Sequence, residues 1–107
     1  MSPDPAVLQE LVRRVVDSVH PLRIILFGSA ARGEMGPNSD LDALIVVADQ
    51  SDCHAVNKIL ARKLRGLGFA TDIVVVRQGD LDQYGNNPYL VFHTALSEGK
   101  ELYRAAS

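Results

Sequence analysis

The sequence predicts an α/β (α+β) domain built on a small mixed β-sheet of three to four strands flanked by helices, in the order α-β-α-β-α-β-α. Three observations predict it. Amphipathic segments with helical period alternate with short β-branched runs, the succession that lays helices over a small sheet. The run Leu41 to Val47 is nearly all apolar, too continuous for a strand with one wet face, so helices should cover part of both its faces. The chemically distinctive residues fall at the end of the first strand but at the beginnings of the second and third. They can converge only if strand one runs antiparallel to the other two, with strands two and three parallel and joined by a crossover helix.

Each element has a local reason. From Pro5 to Val19, apolar residues recur at Val7, Leu8, Leu11, Val12, Val15, Val16 and Val19, with Asp4 as N-cap and Pro5 at the first helical position. His20-Pro21 ends that helix, and Leu22 to Phe27 is a β-rich run stopped by Gly28. Ala30-Ala31-Arg32 reads as one short helical turn. After the strand Leu41–Val47, Ser51 can cap a helix to about Arg65 that turns Ala55, Val56, Ile59, Leu60 and Leu64 inward and ends at Gly66 and Gly68. Thr71 to Val76 is the third strand. Asn87-Pro88 signals the start of a last helix to about Glu98, closed by Gly99, with Glu101-Leu102-Tyr103 a short edge strand. No repeat, low-complexity tract or linker interrupts residues 1–107, which are expected to form one domain.

Composition narrows the partners. Eleven Lys+Arg against thirteen Asp+Glu leave a formal charge of −2, which gives no bulk attraction for nucleic acid or an anionic membrane, so no strong nucleic-acid binding is expected. The single cysteine, Cys53, excludes an internal disulfide and a Cys-rich zinc site. No apolar run approaches the ~20 residues that span a bilayer, and the N-terminus lacks a signal-peptide pattern. The expectation is a cytoplasmic protein with no membrane association.

The informative stretch runs from Phe27 to Asp42. At one end Gly28 and Ser29 follow a strand and precede a helical turn, a place suited to phosphate. It is neither a P-loop, lacking Gly-Lys-Ser/Thr, nor a dinucleotide fingerprint. At the other end Asp40 and Asp42 stand two apart on a strand and leave the same face, with Cα atoms ~6.5–7 Å apart. Divalent ions in two-metal sites lie about 3.5–4 Å apart, a spread such a pair of carboxylates can share, and oxygen ligands suit Mg²⁺ or Mn²⁺. Asp72 adds a third carboxylate at the mouth of the neighbouring strand, where its alternation partners Val74 and Val76 are apolar. Each feature alone is common as a turn or strand entrance. Jointly they are rare, and three acids at one sheet mouth repel unless cations neutralise them. Without Asp40, Asp42 and Asp72 the chain would carry eleven basic and ten acidic residues, so its slight acidity is that of this one cluster.

The string Gly28-Ser29-Ala30-Ala31-Arg32-Gly33 with Ser39-Asp40-Leu41-Asp42 and the later Asp72 resembles the signature of the polymerase-beta-like nucleotidyltransferase superfamily, and the length resembles its minimal nucleotidyltransferase (MNT) branch. The resemblance implies a nucleotidyltransferase fold and transfer of a nucleoside monophosphate from ATP or another NTP to a hydroxyl, dependent on two Mg²⁺ ions or Mn²⁺. At matching positions, Gly28 and Ser29 would hold the β/γ-phosphates, and Asp40 and Asp42 would ligate both metals. Asp72 would bind the catalytic metal and help deprotonate the acceptor. Arg32 would either neutralise phosphate or tie the loop through an ion pair. Many members carry a further arginine where this chain has Ala30. Minimal members resemble antitoxins of HEPN/MNT toxin–antitoxin modules, in which AMP is added to a tyrosine of an all-helical HEPN toxin. Because the sequence offers no second domain to cover a nucleobase or present an acceptor, a partner or a second copy, in a hetero- or homo-oligomer, is expected to supply those walls. Rival readings are a non-catalytic antitoxin that acts by contact, and nucleotidylation of a small molecule, which a chain without a holding domain disfavours. Lys58, Arg62, Lys63 and Arg65 read as a solvated face, His20, His54 and His93 as structural or exposed, and Cys53 as inert. Tyr84 and Tyr89 flank the loop 85–88 and read as packing residues first, with contact to a nucleobase or partner as the alternative.

Overall fold

The structure, a computed structural model, describes residues 3–36, 40–84 and 91–106. Helix α1 (Pro5–Val19) starts where the Asp4 carboxylate accepts the Ala6 N–H at 2.9 Å, with Pro5 in its first turn. It ends at His20, whose φ of 48° places it in the left-handed region, and Pro21 forbids continuation. Strand β1 (Arg23–Phe27) leads into a single turn, α2 (Gly28–Ala31), then strand β2 (Leu41–Val47), helix α3 (Cys53–Lys63) and strand β3 (Thr71–Arg77). Helices α4 (Gln78–Tyr84) and α5 (Val91–Glu98) precede strand β4 (Lys100–Arg104).

The four strands form one sheet in the order β3-β2-β1-β4. β1 is antiparallel to β2 and β4, and β2 is parallel to β3, the mixed arrangement that convergence of the acidic residues required. Alternation along β2 sorts the core into two layers. Ala43, Ile45 and Val47 join Leu11 and Val15 of α1 and Leu60 of α3 on one face. Leu44 and Val46 join Leu81 of α4 and Ala95 of α5 on the other. The near-continuous apolar run of β2 is thus explained by helices on both faces. The Arg14 guanidinium on α1 donates to the Arg65 carbonyl at 2.8 Å, satisfying a backbone acceptor just past the end of α3.

Several local expectations are corrected. The cap of α3 is Asp52, not Ser51: its carboxylate accepts the N–H groups of His54 and Ala55, while the Ser51 carbonyl accepts from Arg77 Nε at 2.9 Å. α3 ends at Lys63, short of Arg65, and Ala55 faces solvent, because the inward stripe runs through Val56, Leu60 and Leu64. The short turn includes Gly28 and Ser29 themselves, with Arg32 as its C-cap. α4 is additional to the expected elements. Gly79 lowers helix propensity there, but the Asp49 carboxylate accepts the Gly79 N–H at 2.7 Å and a Gln78–Asp82 hydrogen bond spans one turn. The expected Asn87-Pro88 start of the last helix lies outside the described residues.

β4 closes one sheet edge with charged residues, which discourages further strand pairing. Its Glu101 accepts from Arg104 Nε at 2.6 Å and from Arg23 Nη2 at 3.1 Å. Chiefly the Arg104 guanidinium, aided by Arg23, holds the Glu101 carboxyl down from 4.5 to about 2. A depressed carboxyl pKa stabilises the fold above its ordinary value and ceases to do so as pH falls through the folded value. Glu101→Gln is therefore expected to lower the urea midpoint at neutral pH by an amount worth at most about 1 kcal/mol, since the pair is substantially solvated. Paired denaturation curves should show that difference narrowing as pH drops from 4.5 toward about 2.

Candidate active site

The antiparallel register sets Phe27 opposite Asp42, so the chain leaving β1 at Gly28 passes directly over the Asp42 side chain. Gly28 has φ +69°, and a Cβ built there would run into the Asp42 carboxylate oxygen Oδ2. Only glycine meets both demands, the left-handed backbone and the close approach. The parallel register sets Asp72 level with Asp42, their strands about 4.8 Å apart. Asp40, two residues before Asp42, projects toward the same side by strand alternation. All three lie on the sheet face that α4 and α5 cover, at the N-terminal ends of β2 and β3. Asp40 and Asp72 are exposed and Asp42 is half-buried.

The cluster has an electrostatic signature. The Asp42 carboxyl is pushed above the usual carboxylate range, first by burial, then by the negative charges of Asp72 and Asp40, with Arg32 opposing. The three acids therefore interact although they come from a loop end and two strands. Among the described residues no group of three His, Cys, Asp or Glu side chains stands in metal-holding geometry. The donor chemistry nevertheless fits a hard divalent cation: the ligand atoms are all oxygens, and Asp42 carries repulsion that such a cation would relieve.

Ser29 is half-buried beside Gly28, and its carbonyl accepts the Glu34 N–H at 2.8 Å, which folds the loop after α2 back on itself. Arg32 is fixed to the same loop by its N–H, which reaches the Gly28 carbonyl at 3.2 Å. Its guanidinium donates from Nε to Glu34 at 3.0 Å and stands 3.6 Å from Glu98 through Nη1. The ion pairs with Glu34 and Glu98 tie Arg32 to this corner. Glu34, Glu98 and secondarily Asp42 raise the arginine's pKa further.

Sequence reasoning missed Glu34 and Glu98. Glu34 was findable, lying two residues beyond Arg32. Glu98 was not, because α5 reaches this corner only by packing on the sheet. The remaining candidates stay apart from the site. Lys58, Arg62, Lys63 and Arg65 are exposed, and no ion pair engages their side chains among the described residues. The free Cys53 thiol packs partly against the core. His20 caps α1 and His54 is exposed. The Tyr89 expectation lies outside the described residues. Among those residues no helix is long and apolar enough to cross a membrane.

No curated protein sequence matches. Among solved structures, the chain superposes on a toxin–antitoxin crystal structure with AMP-PNP at a TM-score of 0.68 and 22% identity, covering 92% of this chain and 73% of that one. It superposes on the structure of a tri-AMPylated Shewanella oneidensis HEPN toxin in complex with MNT antitoxin at 0.62 and 19% identity, covering 94% and 71%. On the toxin–antitoxin MntA-HepT the values are 0.63 and 19%, covering 95% and 74%. At these identities the likeness shows the fold. Residues 8–92 match the nucleotidyltransferase domain family, a span holding the Gly-Ser turn and all three aspartates. With the mixed sheet and the clustered acids at its mouth, this establishes that the chain belongs to the nucleotidyltransferase domain family.

Proposed function

We propose that the protein transfers AMP from ATP to a tyrosine hydroxyl of a HEPN-type toxin and so serves as its antitoxin. The observation that carries the reading is the position of Asp42, which lies beneath the Gly28 backbone and level with Asp72. A phosphate-binding turn and a set of oxygen donors thus share one corner. Support for the acceptor comes from the folds it resembles, one solved with AMP-PNP and one with a tri-AMPylated HEPN toxin.

In this reading Gly28 and Ser29 hold the β- and γ-phosphates, the glycine because nothing but backbone fits over Asp42. Asp40, Asp42 and Asp72 would hold Mg²⁺ or Mn²⁺, which when bound offsets phosphate charge and orients the oxygens of the transfer. The acceptor oxygen attacks the α-phosphorus, the bond from that phosphorus to the oxygen bridging the β-phosphate breaks, and pyrophosphate leaves. Asp72, the most open of the strand-borne carboxylates, takes the hydroxyl proton. The half-burial of Asp42 keeps one wall of the site drier than the rest, which strengthens the pull of its charge.

The test is incubation with ATP, Mg²⁺ and a HEPN toxin, where the neighbouring gene encodes one, followed by intact mass. The toxin should gain whole AMP units with the wild type and none with Asp42→Ala. If both proteins neutralise the toxin equally and neither changes its mass, the protein is an antitoxin by contact alone and the transfer reading falls.

A further inference from the structure

The pairing of Arg32 joins two elements that meet at the end of β1, the α2 turn and helix α5. Its backbone belongs to the Gly28–Ser29 turn, and Glu34 travels with that turn through the Glu34 N–H bond to Ser29. Glu98 comes from the end of α5, an element packed on β1 and against α2. That end is firmly placed: a Cβ on Gly99 would stand 2.6 Å from Ile25 Cγ2 and 2.9 Å from the Leu26 carbonyl, so α5 stops hard against β1. The neighbouring Glu98 is thereby presented to the corner where Arg32 lies, with the two charges 3.6 Å apart. Both side chains are about half exposed, at 44% and 54%, so the pair is weak enough to exchange partners. One guanidinium therefore meets two carboxylates beside three further acids.

We propose that Glu98 on α5 competes with the nucleotide triphosphate for the Arg32 guanidinium, so that the Glu98 charge lowers nucleotide affinity. The inference rests on the reading of Gly28–Ser29 as the phosphate turn. A triphosphate on that turn meets an arginine that shares its loop but whose charge is already spoken for. Glu34 holds the Nε edge and Glu98 faces Nη1, so a phosphate that takes the Nη1 edge competes with Glu98 for it. Glu98 is in this sense a positioning residue that acts through Arg32.

The experiment is a double-mutant cycle read by calorimetry of AMP-PNP binding with Mg²⁺ on the full chain, using wild type, Glu98→Gln, Arg32→Ala and the double variant. Glu98→Gln should tighten binding about two- to fivefold, the scale of an exposed ion pair. Arg32→Ala should weaken it about tenfold or more, as loss of a charged hydrogen bond does. In the Arg32→Ala background, Glu98→Gln should change nothing. Equal tightening in both backgrounds would mean that Glu98 acts as a general negative charge, and would overturn the proposal. Weaker binding by Glu98→Gln would also overturn it, as would no change. If the wild type binds no AMP-PNP, the phosphate reading fails first and this inference with it, an outcome distinct from wild-type binding that Glu98→Gln leaves untouched.

Discussion

Asp42→Asn should abolish nucleotidyl transfer, by roughly three orders of magnitude, while making the protein more stable at neutral pH. The two effects share one cause. Burial and the charges of Asp72 and Asp40 raise the folded-state pKa of Asp42, so the folded chain holds its proton to a higher pH than the unfolded chain does. Stability contributed at this position is therefore full below the unfolded pKa and falls as pH rises through the folded one. At neutral pH the ionised side chain is a liability, and the asparagine removes it without changing shape. The expected gain is about 1–3 °C in Tm at pH 7, with no gain near pH 3 where Asp42 is protonated in both states. Added Mg²⁺ should raise the wild-type Tm and leave that of Asp42→Asn nearly unchanged, because the cation relieves the same repulsion. Thermal melts at the two pH values, with and without Mg²⁺, check each part. A stability loss at pH 7 would show that Asp42 is a structural residue and would remove the argument for a charged site.

Gly28→Ala is expected to be as damaging to transfer and, unlike the aspartate change, to destabilise the fold. At φ +69° an alanine pays for the left-handed backbone, about 1–2 kcal/mol. Its methyl group must also displace the Asp42 carboxylate, which has Asp72 beside it and β1 above. The predicted cost is about 2–3 kcal/mol in denaturation, with transfer lost beyond what the melting point accounts for. Combining it with Asp42→Ala, which vacates the space, should recover the steric part of the stability loss but not the backbone part, and none of the activity. Full recovery in the double variant would mean the backbone strain is negligible.

Much of the fold was legible because its signals are local. Asp4-Pro5 and His20-Pro21 bracket α1 by cap chemistry, and the apolar continuity of Leu41–Val47 announced helices on both faces. The relative directions of the strands followed from a different kind of reasoning, that chemically coherent residues must meet. What escaped was decided by competition between neighbours. Ser51 and Asp52 are both good caps, and the carboxylate of Asp52 won while the Ser51 carbonyl served Arg77. α4 carries Gly79 and no apolar stripe a sequence could show, and it is held by Asp49 from a different loop. At the site, the positions of Asp40, Asp42, Asp72, Gly28 and Ser29 were readable from spacing along strands. The partners of Arg32 were not, because Glu98 arrives through packing of α5 on the sheet, and packing leaves no mark in a linear spacing.

The parallel pairing of β2 with β3 also dictates when the site can exist during folding. Gly28, Ser29 and Asp42 come together once β1 and β2 close a local antiparallel pair, an early and inexpensive event. Asp72 is thirty residues further along and reaches Asp42 only after α3 has formed and carried the chain back across the sheet. A chain still emerging from the ribosome would thus own two carboxylates and a phosphate turn well before the third acid arrives. The full set of acids is thus withheld until the α3 crossover has closed, so the assembled cluster doubles as a report that β2 and β3 have paired, leaving the still less local pairing of β1 with β4 to complete the sheet.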